Sequence, residues 1–519
     1  AVHYRPVVGG ALPAILIRTP YGLPHEVPRA LRAMHDFPAQ RFAERGYHVL
    51  IVSTRGRFGS GGQFTPFVNE AADGRAVLDW IAQHSWFNGA LGTFGASYVG
   101  YTQWAVAADA PSSLKAMVPL VTGANIAGAF LHDGAFNLDT LLRWLFVVAG
   151  PAYEPNQSTL RWLYFNSPAA DQKYLYPAFK HLPLATADEI VAGQPVDWFR
   201  RWLQHPDLRD PYWQTVDHRR NLPRVNAPVH LIGGWYDIFL RETLADYAAL
   251  KAARHQPYLT IDRGVHADPR HLPLAVREGL AWFDTHLKNQ PHRLRAKPVR
   301  VELMGTNEWR DFDEWPPASR PARFYLHDQH QLLDIEPTIH SIPDRYTYDP
   351  AEPTPAIGGP LIGPGGGPVD NRGLESRSDV ITFTSPPLDA ALNVIGEVTL
   401  ELYVRSSLPH TDFFGRLCDV SPDGRSVNIC DGLLRLAPGV GEAQPDGSIK
   451  ITIGLWATAQ RFKRGHRLRL QVSGGAHPRW LRNYGTGEPI AEAMKLQPAD
   501  QTIYHDRAHR SVLILPVAA

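Results

Sequence analysis

The chain has 519 residues, too many for one hydrophobic core, so two or three domains are expected. Hydrophobic residues make up 44% and charged residues 20%, which is normal for a globular protein. The formal net charge is only +1, without a long run of Lys or Arg. These values argue against nucleic acid or an anionic membrane as the main partner, and no apolar run reaches the roughly 18 residues that span a bilayer.

The opening residues, AVHYRP, lack the features of a signal peptide and resemble the end of a β-strand. We therefore expect a further piece upstream of this chain, and we predict a cytoplasmic protein.

Residues 1–124 and 219–292 alternate strand-like and helix-like segments. The predicted strands are buried on both faces: AILIR, HVLIVS, LGTFG, PVHLIGG and PYLTID. Between them, NEAADGRAVLDWIAQH predicts a helix. Because strand–helix alternation is typical of a parallel sheet with helices on both faces, we predict two halves of one α/β core.

Residues 125–218 are rich in aromatic residues and have helical patterns: NLDTLLRWLFVVAG, TLRWLYF and PVDWFRRWLQH. No strand-like run interrupts them, so we predict a helical cap inserted over the sheet.

From residue 293 to 519 the pattern is all-β. Short strands are predicted at VRVELMG, ARFYLH, VTLELYVRS, IKITIGLWA and HRLRLQVS, which favours a sandwich or jelly roll. Cys418 and Cys430 flank the turn SPDGRS of a predicted hairpin. We expect two buried thiols, with a disulfide as the alternative, and no Cys/His spacing suggests zinc.

The stretch LGTFGASYVG places Ser97 between a strand-like run and a helix-like one. Gly95, Ala96 and Gly100 keep its surroundings small, as a nucleophile elbow requires where a strand turns sharply into a helix. The first N–H groups of that helix would point at a developing oxyanion. Val99 breaks the strict pattern G-x-S-x-G, however, and an ordinary Gly/Ser turn explains the motif equally well.

A serine nucleophile needs a base, and the base needs an acid to orient it. In α/β-hydrolases the chain order is Ser, acid, His. Asp237 follows PVHLIGG and His266 follows PYLTID, at the carboxyl ends of two predicted strands. The alternatives are a helix N-cap for Asp237 and a surface position for His266. Five rivals fit the expected order or the strand ends less well: Asp262, Asp268, His255, His271 and His286.

Blocks along nearly the whole chain resemble the cocaine esterase/X-Pro dipeptidyl peptidase (CocE/NonD) family of serine α/β-hydrolases, in the family's order. The blocks are RTPYG, STRGRFGSGGQF, GASYVGYTQW, GGWYDIF, WFDTHLK, GPVDNRGLESRSDVITFTSPPL, DGRSVNICDG and HPRWLRNYGTGE. The family includes glutaryl-cephalosporin acylases and α-amino-acid ester hydrolases. The resemblance implies an α/β-hydrolase domain with a helical cap, followed by a jelly-roll domain of the galactose-binding-like kind.

Residue by residue, the resemblance implies that Ser97 is the nucleophile, Asp237 the acid and His266 the base. It also implies that the hydroxyl of Tyr21, in RTPYG, shares the oxyanion hole with the backbone N–H of Tyr98. No metal or organic cofactor is expected.

Two departures from the family pattern affect loops near these residues. Ser53 stands before TRG, where the family often has Asp, and this changes a residue expected to brace a loop. Arg263-Gly264-Val265 precede His266, where the family usually has Pro-Trp, and this puts the local geometry of the histidine in question.

The resemblance also implies an acyl pocket. Trp144 and Phe239 match two of its aromatic walls, a third wall falls near Phe130, and a fourth falls at Ile362 beside Gly363. On spacing alone, Trp144 fits core packing of an amphipathic helix equally well.

The α-amino-acid ester hydrolases hold an ammonium group with carboxylates, part of which follow the triad acid. Here Ile238-Phe239-Leu240 carry none, so a buried ammonium would lack a partner there. Asp133, in HDGAF, supplies one charge at most.

We therefore predict a serine hydrolase that cleaves carboxylic esters of apolar or aromatic acyl groups through an acyl-enzyme. The alternative is an amidase or peptidase of the glutaryl-acylase, α-amino-acid ester hydrolase or X-Pro dipeptidyl peptidase type. A third interpretation is a non-catalytic protein that binds carbohydrate or a partner through its jelly roll. The expected partner is a small-molecule ester or amide, and the sequence leaves a homo-oligomer open.

Overall fold

The computed structural model describes residues 1–27, 29–132, 134–149, 167–306 and 308–518, and only the backbone of residues 29–35 and 292. The chain divides into two compact units. The first comprises Ala1–Ala129, Leu142–Lys180 and Asp188–Arg300, and the second comprises Phe130–Leu141, His181–Ala187 and Val301–Ala519.

The strands, in chain order, are β1 (Val2–Tyr4), β2 (Leu12–Thr19), β3 (His48–Ser53), β4 (Phe87–Ala96), β5 (Leu114–Leu120), β6 (Leu131–His132), β7 (Ala135–Phe136), β8 (His230–Tyr236), β9 (Tyr258–Val265), β10 (Val299–Leu303), β11 (Glu308–Phe312), β12 (Ser319–His327), β13 (Gln331–Leu333), β14 (Asp344–Tyr348), β15 (Val380–Thr384), β16 (Leu392–Ser406), β17 (Thr411–Val420), β18 (Ser426–Leu436), β19 (Glu442–Ala443), β20 (Ile449–Phe462), β21 (Arg467–Ser473), β22 (Ala499–Tyr504) and β23 (Val512–Ala518). The α-helices are α1 (Arg29–Ala43), α2 (Glu70–Ala82), α3 (Tyr98–Ala107), α4 (Leu138–Ala149), α5 (Pro168–Ala170), α6 (Tyr176–Lys180), α7 (Ala187–Ala192), α8 (Asp197–Leu203), α9 (Leu240–Ala252), α10 (His271–Lys288) and α11 (Arg372–Glu375).

The first unit contains the predicted parallel sheet, with the strand order β1-β3-β2-β4-β5-β8-β9. β1 is antiparallel to β3, and the other neighbours are parallel. Its core includes Phe42 of α1, Phe94 of β4 and Phe283 of α10, whose rings meet edge to face at centroid distances of 5.0 and 5.5 Å. The parallel core is confirmed, while β5 was not among the predicted strands, because the Lys and Pro in LKAMVPL mask its apolar pattern.

The region predicted as a helical cap holds α4 and α8 at the segments NLDTLLRWLFVVAG and PVDWFRRWLQH. The run TLRWLYF and Asp133 lie outside the described residues. The expectation that no strand interrupts this region is wrong, because β6 and β7 pair as a two-residue hairpin around Gly134 at φ +80°. Strands this short leave no alternating pattern in the sequence. The predicted domain bounds remain a prediction.

The second unit is mainly β, as predicted for the C-terminal part of the chain, and it also holds the short helix α11 and the start of α4. Its large sheet runs β14-β22-β16-β23-β12-β13-β15-β21-β17-β18, and β20 pairs with β16 and β19. β17 and β18 form the predicted hairpin, in which Cys418 lies opposite Asn428, and Cys430 opposite Leu417. Both cysteines are buried free thiols, the expected state, and the register irregularity between Leu417 and Cys418 offsets them along the strands.

Of the helices in the described ranges, none is both long and apolar enough to cross a membrane.

Candidate active site

Ser97 occupies the single residue between the end of β4 and the start of α3. Its backbone has φ 57° and ψ −125°, a conformation that is costly for any residue except glycine. The peptide is held there because Ser97 N donates to Leu120 O at 2.9 Å and Thr122 Oγ1 donates to Ser97 O at 2.8 Å. The strand-to-helix turn therefore presents the serine hydroxyl at the carboxyl end of the sheet, in the form of an elbow.

Small neighbours make this turn possible. A Cβ on Gly100 would come within 2.5 Å of Thr122 Cγ2, and a Cβ on Gly95 would collide with the side chain of Val99. Val99, the residue that breaks the strict motif, thus fills the space that Gly95 leaves open. The departure from G-x-S-x-G is accommodated by packing.

The structure brings the three predicted catalytic side chains into one hydrogen-bonded chain. His266 Nε2 lies 3.0 Å from Ser97 Oγ, and His266 Nδ1 lies 2.7 Å from Asp237 Oδ1. Asp237 is fully buried and the His266 side chain is 9% exposed. Because a carboxylate only accepts, His266 donates from Nδ1 and keeps Nε2 to accept the serine proton.

The alternative interpretations of these residues do not describe the structure. Asp237 is not the N-cap of α9, because that position is occupied by Phe239, whose side chain makes no capping hydrogen bond. The Asp237 carboxylate accepts from His266 instead. Among the rivals, Asp268 pairs with Arg270, and Asp262 pairs with His271. Within the described ranges, no cluster of three or more His, Cys, Asp or Glu side chains is suited to a metal ion.

One donor for an oxyanion is adjacent to the serine, and the second predicted donor belongs to a side chain that contacts the residue carrying the first. The N–H of Tyr98 is at the first position of α3, where no intrahelical acceptor exists. The ring of Tyr21 meets the ring of Tyr98 edge to face at 6.5 Å, and the indole N–H of Trp144 donates to the Tyr21 hydroxyl at 3.2 Å. The two residues of the predicted oxyanion hole therefore lie side by side.

A buried polar network under the elbow was not predicted from the sequence. The Tyr98 hydroxyl donates to Glu70 Oε1 at 2.8 Å and accepts from Phe67 N at 2.9 Å. Arg18 donates to the other Glu70 oxygen at 2.6 Å, and both members of this ion pair are 4% exposed. Burial raises the pKa of Glu70, while Arg18 and the Tyr98 hydroxyl act against that rise. In the sequence Glu70 is simply the first residue of a helix, and nothing there marks it as the anchor of Tyr98.

Trp144 lies against Tyr98, and Phe239 lies against His266. The Trp144 ring stacks on Phe67 at 5.3 Å, on Trp202 at 6.0 Å and on Tyr98 at 6.2 Å. Phe239 contacts the His266 ring at 5.5 Å. Trp144 is 5% exposed and Phe239 is 3% exposed, so each packs in the interior as well as lying beside the site.

The other two predicted pocket walls belong to the second unit. Phe130 is buried there, and Ile362 is partly exposed in the glycine-rich loop. Their role in a pocket remains a prediction.

The first departure from the family pattern is Ser53, and a carboxylate from another position braces the loop there. Glu26 Oε2 accepts from Leu23 N at 2.7 Å and lies 3.5 Å from Ser53 Oγ, while its Oε1 accepts from Gly59 N at 3.1 Å. At the second departure, Arg263-Gly264-Val265 precede His266, and His266 Nε2 still lies within hydrogen-bond distance of Ser97 Oγ.

Both parts of the chain match known protein families. Residues 1–268 match the family model of X-Pro dipeptidyl-peptidase (S15 family), and residues 292–514 match the X-Pro dipeptidyl-peptidase C-terminal non-catalytic domain. The chain is 32% identical to cocaine esterase of Rhodococcus sp. (strain MB1 Bresler), with 99% of this chain and 95% of that protein covered.

Two solved structures share the fold. An aminopeptidase from a marine sediment archaeon, Thaumarchaeota archaeon, superposes with a TM-score of 0.83 at 21% identity, covering 100% of this chain and 93% of that one. An α-amino acid ester hydrolase superposes with a TM-score of 0.82 at 21% identity, covering 99% and 94%. Both family models match in order, and the cocaine esterase is similar along nearly the whole of this chain. The chain therefore belongs to the X-Pro dipeptidyl-peptidase (S15) family.

Proposed function

We propose that this protein hydrolyses carboxylic esters of apolar or aromatic acyl groups through an acyl-enzyme formed on Ser97. The observation that carries the proposal is the continuous hydrogen-bond chain from Ser97 Oγ through His266 to buried Asp237. A strained elbow, a base of the right tautomer and a buried acid together make a serine hydroxyl nucleophilic.

In the first half of the reaction, Ser97 Oγ attacks the acyl carbonyl carbon while His266 Nε2 takes the hydroxyl proton. Asp237 stabilises the imidazolium that forms. The negative charge on the carbonyl oxygen would be met by the Tyr98 N–H and the Tyr21 hydroxyl. The intermediate then collapses, and the C–O bond to the alcohol breaks as His266 returns the proton to the leaving oxygen.

In the second half, water takes the place of the alcohol. His266 removes a proton from the water, whose oxygen attacks the acyl carbon. The ester bond to Ser97 then breaks as His266 returns this proton to Ser97 Oγ, and the carboxylic acid is released. No step needs a metal or organic cofactor.

The acyl preference is supported by the apolar character of the neighbouring side chains. Trp144 and Phe239 contribute aromatic surface beside Tyr98 and His266, respectively. Two relatives, the cocaine esterase and the α-amino acid ester hydrolase, are named for ester hydrolysis. The triad acts on the carbonyl carbon whatever the acyl group, so the acyl pocket decides which acid is accepted.

An amidase or peptidase activity is the second candidate, since the family is named for X-Pro dipeptidyl peptidases and one structural neighbour is an aminopeptidase. Paired substrates separate the two activities. For one acyl group, kcat/KM is measured on the p-nitrophenyl ester and on the p-nitroanilide. Turnover of the ester with little turnover of the anilide supports the esterase, and comparable turnover of both supports the amidase.

The nucleophile is tested with Ser97→Ala and a fluorophosphonate probe. We expect the parent to be labelled at Ser97, and the variant to lose label and roughly a million-fold in turnover, as when serine proteases lose this residue. Circular dichroism and thermal melting check that the variant is folded. A folded Ser97→Ala protein with parental turnover contradicts the proposal. A parent protein that is not labelled by the probe and does not hydrolyse the esters tested favours the non-catalytic binding protein.

A further inference from the structure

A second histidine–aspartate pair lies directly behind the catalytic histidine. His271, the first residue of α10, places Nδ1 at 3.0 Å from Asp262 Oδ2 and Nε2 at 2.8 Å from the carbonyl oxygen of Val265. Both members of the pair are buried, with 3% and 4% exposure. The mechanism above uses neither of them.

The contacts favour a cationic His271. A backbone carbonyl accepts hydrogen bonds, and so does a carboxylate in its ionised form, so both ring nitrogens face acceptors when Asp262 is ionised. A histidine with both nitrogens protonated is a cation. This arrangement suits an imidazolium–carboxylate ion pair enclosed in the interior.

The surrounding charges favour this cation. Burial by itself lowers the pKa of His271, but the hydrogen bond and charge of Asp262, the charge of Asp237 and the Val265 carbonyl outweigh it and raise the pKa above 6.5. Asp268, in the turn before α10, is a third carboxylate that interacts electrostatically with His271. The pKa of Asp268 is lowered chiefly by its hydrogen bond with Arg270. His266 is the other histidine of this turn.

The pair holds both ends of the segment that precedes the catalytic base. Asp262 Oδ1 accepts from Gly264 N at 2.7 Å, and His271 holds the carbonyl of Val265, the residue before His266. The backbone is shaped to admit the ring, since a Cβ on Gly264 would come within 2.7 Å of His271 Nε2, and one on Gly234 within 3.0 Å of His271 Cε1. Gly234 O in turn accepts from Asp237 N at 3.1 Å, so the same ring packs against the loop of the acid.

We propose that His271 is a positioning residue, held as a buried imidazolium by Asp262, which fixes the segment carrying His266 and sets an upper pH limit on catalysis. The proposal rests on the esterase function proposed above. When His271 loses its proton, one of its two hydrogen bonds is lost and the segment before the base is released. General-base catalysis requires the deprotonated form of a base, so we assign an alkaline loss of activity to His271.

The charge is tested first, independently of activity. In protein labelled with 15N-histidine, the imidazole resonances of His271 are assigned by comparison with His271→Gln among the 23 histidines. We expect the 15N shifts of two protonated nitrogens at a pH about one unit above the ordinary histidine value of 6.5. One protonated and one bare nitrogen at that pH overturns the proposal.

Positioning is tested with Asp262→Asn and His271→Gln, with His286→Gln as the matched control. His286 is a partly buried histidine of the same helix that contacts Trp282 instead of the segment before His266. We expect kcat to fall by about ten- to a hundredfold with KM nearly unchanged in the first two variants. Fluorophosphonate labelling of Ser97 should slow in proportion, and the control should match the parent.

The pH profile separates positioning from a general loss of stability. The parent should lose kcat on the alkaline side of 6.5, and His271→Gln, which has no titrating group there, should lose this alkaline decline. A His271→Gln variant with parental kcat and the parental alkaline limb overturns the proposal. A parent protein that is inert toward esters and fluorophosphonate would contradict the proposed function. The 15N measurement of His271 does not require activity, so the two failures can be distinguished.

Discussion

Each side chain at the candidate site is held by a partner that the chain supplies from another element. Trp144 is the clearest case, because its indole N–H donates to the Tyr21 hydroxyl while its ring stacks on Tyr98. An indole N–H only donates, so Tyr21 must accept from it. That contact fixes one lone pair of the hydroxyl and orients the O–H for donation. We therefore expect Trp144 to act on the proposed oxyanion hole as well as on the predicted acyl pocket.

A double-mutant cycle measures this coupling at the residue scale. Tyr21→Phe should lower kcat by roughly a hundredfold, or ~3 kcal/mol, because one oxyanion donor is lost. Trp144→Phe should lower kcat less, and should add little in the Tyr21→Phe background, since it acts through the same hydroxyl. The measurement is kcat and KM for p-nitrophenyl esters with the four proteins.

The acyl group distinguishes the two roles of Trp144. If the residue acts through Tyr21, the loss in Trp144→Phe is the same for acetyl and benzoyl esters. A loss confined to benzoyl esters and unchanged in the Tyr21→Phe background would make Trp144 a pocket wall only.

Helices of the first unit carry buried charge as well as apolar surface. On α9, Glu242 and Asp246 are buried, and desolvation raises the pKa of Glu242 to about 7 and that of Asp246 to about 6. Asp246 accepts from Ala124 N at 2.6 Å and from Arg219 at 2.9 Å. Glu242 Oε2 finds no hydrogen-bond partner among the described residues, and the side chain packs against Gly128. Glu242 is thus the poorly compensated carboxyl of this helix.

The stability of α9 should accordingly depend on pH. Because the folded pKa of Glu242 lies above its ordinary value, the folded state binds more protons than the unfolded state between pH 4.5 and about 7. The free energy of unfolding therefore falls as pH rises through that window. Glu242→Gln removes the contribution of Glu242 and leaves that of Asp246, whose raised pKa acts in the same direction up to about pH 6. We expect the melting temperature of the variant to exceed that of the parent on the alkaline side of the window.

The matched control is Glu397→Gln, an exposed glutamate on β16. Its melting temperature should follow the parent at every pH. If Glu242→Gln also follows the parent from acid to alkaline pH, the carboxyl is not buried in the uncharged form.

At the scale of the whole molecule, the four side chains predicted as pocket walls do not all belong to one unit of the chain. Trp144 and Phe239 are in the first unit, and Phe130 and Ile362 are in the second. The residues that follow the triad acid, Ile238-Phe239-Leu240, are buried and apolar. They provide no counter-ion for an ammonium group.

We expect phenylacetyl and benzoyl esters to be better substrates than α-amino esters. Burying an aromatic acyl group gains roughly 25 cal/mol per Å² of apolar surface, and stacking adds about 1 kcal/mol. A charged ammonium in the same position loses hydration and finds no carboxylate in the stretch Ile238-Phe239-Leu240. The measurement is kcat/KM for phenylacetate and phenylglycine methyl esters at a pH where the amine is charged.

Preference for the amino ester by about tenfold, or ~1.4 kcal/mol, would contradict the apolar pocket. Asp133 would then be the first residue to substitute, with Asp133→Asn as the charge-removing variant.

The sequence by itself determined the two-part architecture and the order of the catalytic residues. Strand–helix alternation in the first part and short alternating strands in the second are local patterns, set by which face of each element is buried. Ser97, Asp237 and His266 were candidates because each follows a strand-like run, and carboxyl ends of parallel strands share one edge. The family resemblance then singled them out from the alternatives. The two-residue strands β6 and β7, by contrast, are too short to have a pattern.

Only the tertiary structure decided which polar side chains meet. Asp262 and His271 were weighed as rival acid and base, yet they pair with each other, and Glu70 reaches Tyr98 from a different helix. Glu26 takes over the bracing role that the family pattern assigned to the position of Ser53. Such pairs join residues whose spacing along the chain follows no period, and their charge states depend on burial. Both are consequences of the packed fold, which a local pattern of residues does not contain.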